Sequence, residues 1–200
     1  MKKRARRLRS EERREQILSS AIAVFARANY RATRISDIAA EAGVSEAMIY
    51  KHFPSKRSIF LEILEHKSAR ILEVWKREVQ REPDALEALR RLVLAYYRTA
   101  KEHPDELKIH WRAVSEIGDR TIRARLRKDY QGFVRFVTTV IENGIRQGVI
   151  RKGVDVEAMA FLYTGGGIVV NTMILLGLDK QFDERLLPRV SDHLLGMLEA

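Results

Sequence analysis

The 200-residue sequence contains no cysteine. Disulfides, Cys-ligated zinc, iron–sulfur clusters and thiol catalysis are therefore excluded, and the composition suits a reducing compartment such as the cytoplasm. Only 4 prolines and 11 glycines interrupt the chain, which leaves room for long helices. No Gly-rich phosphate loop and no nucleophile motif occurs, so neither an enzyme nor a cofactor is expected. The basic N-terminus, Lys2 to Arg9, is followed by Ser10, Glu11, Glu12, Arg13, Arg14 and Glu15 rather than by an apolar run, which argues against a secretory signal. One uncharged stretch, Ala158 to Leu178, is long enough to span a bilayer. It contains Thr164, Asn171, Thr172 and the triplet Gly165-Gly166-Gly167, and it lacks aromatic anchors at its C-terminal end. It is read as a helix buried inside a protein or between two subunits, with no membrane partner.

What is present is an uneven distribution of charge. Lys and Arg total 37 against 27 Asp and Glu, a net charge of +10. Residues 1–60 hold 14 of the cations and 6 of the acids, and the remaining 140 residues are nearly balanced. A small basic module beside a near-neutral larger one points to a polyanion partner for the first and a different task for the second. The plainer alternative is a solubilising tail.

Periodicity is helical nearly throughout. Ile17, Leu18, Ala21, Val24, Phe25 and Ala28 recur every three or four residues and predict a helix from about 11 to 28, capped by Ser10. Short helices follow over 35–42, with Thr33 as cap, and from a cap at Ser45 to Phe53, where Pro54 stops the run. Longer helices are predicted over about 56–80, through the Leu86 to Tyr97 stripe, and at 105–115, 121–147, 155–177 and 183–199. No alternating segment insists on a sheet, so the fold is expected to be all-α. It divides into a flexible basic arm (1–10), a three-helix domain (11–55) and a larger helical domain (56–200).

Residues 33–53 have the spacing of a helix-turn-helix. Ala39 is small enough for two helices to cross closely, Gly43 suits a left-handed turn, and Val44 plugs the gap between them. Ile49 and Phe53, four apart, face the core. That leaves Glu46, Ala47, Tyr50 and Lys51 on the opposite face, flanked by Met48 and His52. Such a helix fits a major groove about 12 Å wide. Lys56 stands at the start of the next helix, against the dipole, a placement that a phosphate would explain.

The run from Thr33 through Ile38-Ala39-Ala40-Glu41-Ala42-Gly43-Val44-Ser45, continuing to Tyr50-Lys51-His52-Phe53-Pro54-Ser55-Lys56, strongly resembles the tetracycline-repressor (TetR) family of bacterial regulators. The resemblance covers roughly residues 11–65. It implies phosphate contacts at Tyr50, Lys56 and Thr33, and base or backbone contacts at Ser45, Ala47, Met48 and Lys51. Arg34, Ser36 and His52 are further DNA-contact candidates. Many members carry Gly where this chain has Ala47. The resemblance also implies a homodimer on a palindromic double-stranded operator, with two C-terminal helices per subunit in a four-helix bundle that would accommodate the apolar 158–178 segment.

A ligand pocket is the second feature the resemblance implies. Candidate lining residues are Tyr96, Tyr97, His110, Trp111, Val114, Phe133, Phe136, Val137, Phe161, Tyr163, Thr164 and Asn171, each of which could equally be core. Their composition suggests a hydrophobic small-molecule effector. His103, Glu106 and His110 have helical spacing, but Pro104 is expected to start the helix and leave His103 outside it, so no metal site is expected. The expected function is a ligand-responsive homodimeric repressor in the cytoplasm. The alternatives are a constitutive or architectural DNA-binding dimer, and a helical enzyme with an incidental basic end.

Overall fold

In the computed structural model, residues 2–178, 180 and 185–199 are described, with side chains from residue 10 onward. Among them the chain forms α1 (Lys2–Arg27), α2 (Ile35–Ala42), α3 (Glu46–His52), α4 (Lys56–Arg81), α5 (Ala85–Glu102), α6 (Pro104–Ser115), α7 (Arg120–Gln147), α8 (Val156–Leu175) and α9 (Leu186–Leu195). One isolated antiparallel bridge, Ile150 to Glu199, is the only β pairing among the described residues. The all-α expectation holds.

Two boundaries and one cap differ. Helix α1 runs from Lys2 rather than starting near residue 11, so Ser10 lies within a helix and does not cap one. No Pro or Gly lies between Lys2 and Arg27, and the residues there are mostly good helix formers. Helix α2 starts at Ile35 as predicted, but its cap is Arg34, not Thr33. The Arg34 N–H donates to Asp37 Oδ2 at 2.7 Å, while the Thr33 hydroxyl turns back to donate to Asn29 O at 3.0 Å. Helix α9 ends at Leu195. The start of the predicted 183–199 helix, and the turn residue Asp179, lie outside the described residues.

The chain divides into two compact units. The first comprises Met1–Lys67 with Lys108–Leu126. Its core joins Ile17, Leu18, Ala21 and Phe25 of α1 to Ile38 of α2, Ile49 and Phe53 around α3, Ile59, Phe60, Ile63 and Leu64 of α4, and Ile109, Ala113, Ile122 and Leu126. Phe25 and Phe60 meet edge to face, with centroids 5.0 Å apart, and Tyr30 leans on Phe60 at 4.7 Å. Each such side chain contributes roughly 1.5–3 kcal/mol by leaving water. The turn between α2 and α3 uses Gly43 at φ 62°, whose N–H and that of Val44 close on Ala40 O and Ala39 O. A Cβ would be strained in that left-handed conformation.

The second unit comprises Ser68–Leu107 with Arg127–Ala200. Helix α5 packs against α8 and α9. Its core collects Ile71, Trp75, Leu89, Leu92, Val137, Ile141, Ile150, Ala160, Tyr163, Leu195 and Leu198. Asp84 caps α5 by accepting from the Leu86 and Glu87 N–H groups, and Asp155 caps α8 through the Ala158 N–H. At Gly144 of α7 the chain comes so close that a Cβ would lie 2.5 Å from Ile150 Cδ1 and 3.1 Å from Ala85 Cβ.

Helix α8 is not buried on all sides in the single chain. Ala160, Tyr163, Val170 and Asn171 form one buried face, whereas Phe161 (72% exposed), Leu162, Ile168, Val169 and Leu175 face out. Among the described residues it is the one helix long and apolar enough to cross a membrane by length and composition. Its apolar character nevertheless splits by helical face, and the inner face carries a Tyr and an Asn.

Candidate nucleic-acid interface

Helix α3 is held by its apolar side and presents the other. Ile49 and Phe53 are buried, and the Ser45 hydroxyl caps the helix by accepting from the Met48 N–H at 3.2 Å. Ala47, Tyr50 and Lys51 are exposed, Tyr50 by 53%, and Met48 and His52 are half-buried beside them. Arg34 and Ser36, at the start of α2, are exposed as well. The His52 imidazole sits below the ordinary histidine value because burial, and then the cations of Lys51, Arg14 and Arg13, disfavour its protonation. The exposed set can meet an anionic groove with one aromatic hydroxyl, one ammonium and a small residue that permits close approach.

Two residues expected at phosphates are turned inward. Thr33 is 1% exposed and its hydroxyl is spent on Asn29 O. The Lys56 ammonium donates to Tyr30 O at 2.7 Å, Thr33 O at 2.7 Å and Arg31 O at 3.3 Å, and stands 4.6 Å from the Tyr30 ring centroid. An ammonium has three donors, and all three are engaged. Burial lowers the Lys56 pKa, with Glu116 and Asp37 opposing. The structure thus gives Lys56 the task of closing the α1–α2 loop, where the sequence suggested a phosphate contact.

The residues around this helix-turn-helix that sequence reasoning missed are long polar side chains holding helix ends. Arg14 donates to His52 O, the last carbonyl of α3, at 2.7 Å, and pairs with Glu62 of α4. Gln16 donates to Ala42 O at the end of α2. Arg112 donates to Phe25 O and Ala28 O at the end of α1. Arg31 pairs with Glu116 at 3.0 Å and Arg57 with Asp119 at 3.1 Å. Cations at helix C-termini oppose the dipole and satisfy orphan carbonyls. No sequence pattern marks them, because each partner is 26 to 87 residues away.

The twelve residues suggested for a pocket divide between the two units. His110, Trp111 and Val114 belong to the first unit. There His110 is buried, Val114 packs on the core, and the Trp111 Nε1 is buried without a hydrogen-bond partner among the described residues. Burial lowers the His110 pKa to about 3, with Lys67 adding to the shift. Phe161 lies on the outer face of α8, opposite Tyr163, and so lines no interior. Tyr97 is buried with Val170 and Leu187 in a small separate cluster, and Thr164 donates to Ala160 O in its own helix.

Within the second unit, Tyr96, Phe133 and Phe136 do gather, around a residue the sequence reading did not choose. Trp75 has ring centroids 6.3 Å from Tyr96, 5.6 Å from Phe133 and 5.6 Å from Phe136. Its Nε1 is buried with no hydrogen-bond partner among the described residues, a costly state for a donor in an apolar setting. The Tyr96 hydroxyl donates to Asn171 Oδ1 at 2.7 Å, and the Tyr163 hydroxyl to Leu89 O at 2.5 Å. Burial raises the pKa of both phenols, so both are neutral donors. Val137 is wholly core. A separate open groove of about 400 Å³ runs between Val74 and Glu78 of α4 and Arg91, Leu94, Arg98 and Glu102 of α5, and touches none of the twelve.

Comparison with known proteins bears on both regions. Residues 17–63 match the model for bacterial regulatory proteins of the tetR family. The fatty acid metabolism regulator protein of Bacillus subtilis is 25% identical over 142 residues, 71% of this chain and 73% of that one. A candidate transcriptional regulator from Saccharomonospora viridis, solved in complex with choline, is 30% identical, covers 92% of this chain and 94% of its own, and superposes with a TM-score of 0.70. The regulator FadR from Bacillus subtilis, solved in complex with stearoyl-CoA, shares the fold with a TM-score of 0.76 at 21% identity, covering 93% and 97% of the two chains. These relatives are regulators of transcription or metabolism rather than enzymes. With a helix-turn-helix whose open face lies on a basic head, and a match to the family's defining region, the chain belongs to the tetR family of bacterial regulatory proteins.

Proposed function

We propose that the protein is a ligand-responsive, homodimeric transcriptional repressor, cytoplasmic, that binds a palindromic operator. The observation that carries this reading is the geometry of α3, whose inner side is sealed by Ile49 and Phe53 while Ala47, Tyr50 and Lys51 stand open. Each subunit would place one such helix in a major groove, with half-sites about one helical turn apart. The second copy would sit on the outer face of α8. Phe161, Leu162, Ile168, Val169 and Leu175 are exposed there, and at Gly165 and Gly166 no atom beyond the adjoining helix backbone lies within 4 Å of where a Cβ would stand. An apolar face of that kind is characteristic of an interface.

The effector would enter the second unit at the aromatic cluster around Trp75. Rings supply apolar surface, and the Trp75 Nε1 finds no acceptor among the described residues. Stearoyl-CoA and choline, bound by two structural relatives, are the probes to use first. An acyl chain would use the apolar surface, and a quaternary ammonium the ring faces. An effector that favours a geometry unsuited to the operator must weaken DNA binding by the same factor by which DNA weakens effector binding. Titrating each probe into the protein while following tryptophan emission, and repeating it with bound duplex, tests the reading. Reciprocal weakening supports it; binding that leaves duplex affinity unchanged points to a constitutive DNA-binding dimer.

A further inference from the structure

Helix α3 is short, and its attachment is one-sided. Seven residues span about 10 Å. Its one buried residue, Ile49, and the buried Phe53 that ends it in an extended conformation are its anchors on the core. Two such anchors set the depth of the helix but resist rolling about the line through them only weakly. The Ser45 cap bonds to α3 itself and adds nothing against roll. At the C-terminal end a side chain from another helix intervenes. The Arg14 guanidinium, on α1, donates through one nitrogen to His52 O and through another to the Glu62 carboxylate on α4, and its carbon lies 4.1 Å from the Phe53 ring centroid.

We infer that Arg14 is a positioning residue for sequence readout: it fixes the roll of the recognition helix, and Glu62 fixes Arg14. This rests on the reading of α3 as the DNA-contacting helix. A roll of about 10° moves a side-chain tip roughly 1 Å at the outer radius of a helix, enough to misplace a base contact. Arginine suits the task because its planar fork bonds in two fixed directions at once, which an ammonium does not reproduce. Its charge also opposes the negative end of α3. Arg14 and Glu62 are both partly buried, with side chains 35% and 19% exposed, so the pair is less screened than a surface one.

The test uses the full-length protein and its R14K, R14M and E62Q variants. Duplexes are first selected from a randomised library with the wild type. Affinity is then measured for the selected duplex and for a random duplex of equal length at one salt concentration. Positioning predicts that R14M and E62Q lose about tenfold in the ratio of the two affinities, the scale of one lost base contact, while R14K falls between them and the wild type. Random-duplex affinity should stay within about threefold, because that binding depends on charge rather than on helix roll. E62Q decides the matter, since it removes a negative charge from the head. If Arg14 and Glu62 act through charge alone, E62Q tightens both duplexes equally and the ratio stands. An unchanged ratio in E62Q, or parallel loss on both duplexes in R14M and E62Q, overturns the inference. A wild type that enriches no duplex overturns instead the DNA-binding reading beneath it, so the two failures are distinct.

Discussion

The Lys56 ammonium donates to three backbone carbonyls and sits over the Tyr30 ring, so it acts as a half-buried clamp. Replacing it by Met would leave those carbonyls with fewer partners and cost about 2 kcal/mol of stability, seen as a lower urea midpoint. The salt dependence of DNA affinity should keep its slope, whereas removal of a phosphate contact would reduce it by about one. His110 makes a second prediction. Its folded pKa is depressed to about 3, below the unfolded value, so the unfolded chain takes up the proton first. Its neutral state therefore favours the fold fully above about pH 6.5, and that advantage is lost as pH falls toward 3. Between pH 7.5 and 4.5 the wild type should lose about 2 kcal/mol more than H110Q in urea unfolding. An equal loss in both would contradict a buried, neutral His110. Both roles escaped sequence reading for one reason: charge and spacing were visible, but what surrounds each group is set by elements distant in the chain.

At the scale of elements, much was legible, because helix signals are local. Gly43, Ser45, Pro54 and Asp84 act within four residues of themselves, and the predicted 35–42 and 56–80 helices appear as Ile35–Ala42 and Lys56–Arg81. Helix α1 was misjudged because Ser10, a good cap, stands in a run with no residue that stops a helix. The close approach at Gly144 was not legible, since Ile150 and Ala85 reach it only in three dimensions. Gly144→Ala gains up to about 1 kcal/mol of helix propensity but overpacks by about 1–3 kcal/mol, so a net loss of about 1 kcal/mol is expected. Thermal unfolding checks it, and a stabilised variant would show that Ile150 moves aside freely.

For the whole molecule, the uncharged 158–178 stretch carried a correct signal with an incomplete reading. In the single chain it forms a helix with one buried and one open face, so it is not buried within one chain, and burial between two subunits is the part that stays a proposal. The candidate pocket was legible only in part. Aromatic residues were chosen by type, and the structure turns Phe161 outward and makes Trp75, which was not chosen, the centre of the aromatic group in the second unit. If the open face of α8 joins two subunits, F161D should shift the protein toward monomer in light scattering and weaken operator binding together. A monomeric wild type would remove the dimer from the account. The most direct measurement of the central claim is selection of bound fragments from the source genome by the wild-type protein. The account predicts enrichment of fragments sharing two inverted half-sites about 10 base pairs apart, or a multiple of that spacing. Recovery of fragments with no shared sequence, or with a single unrepeated half-site, would contradict it.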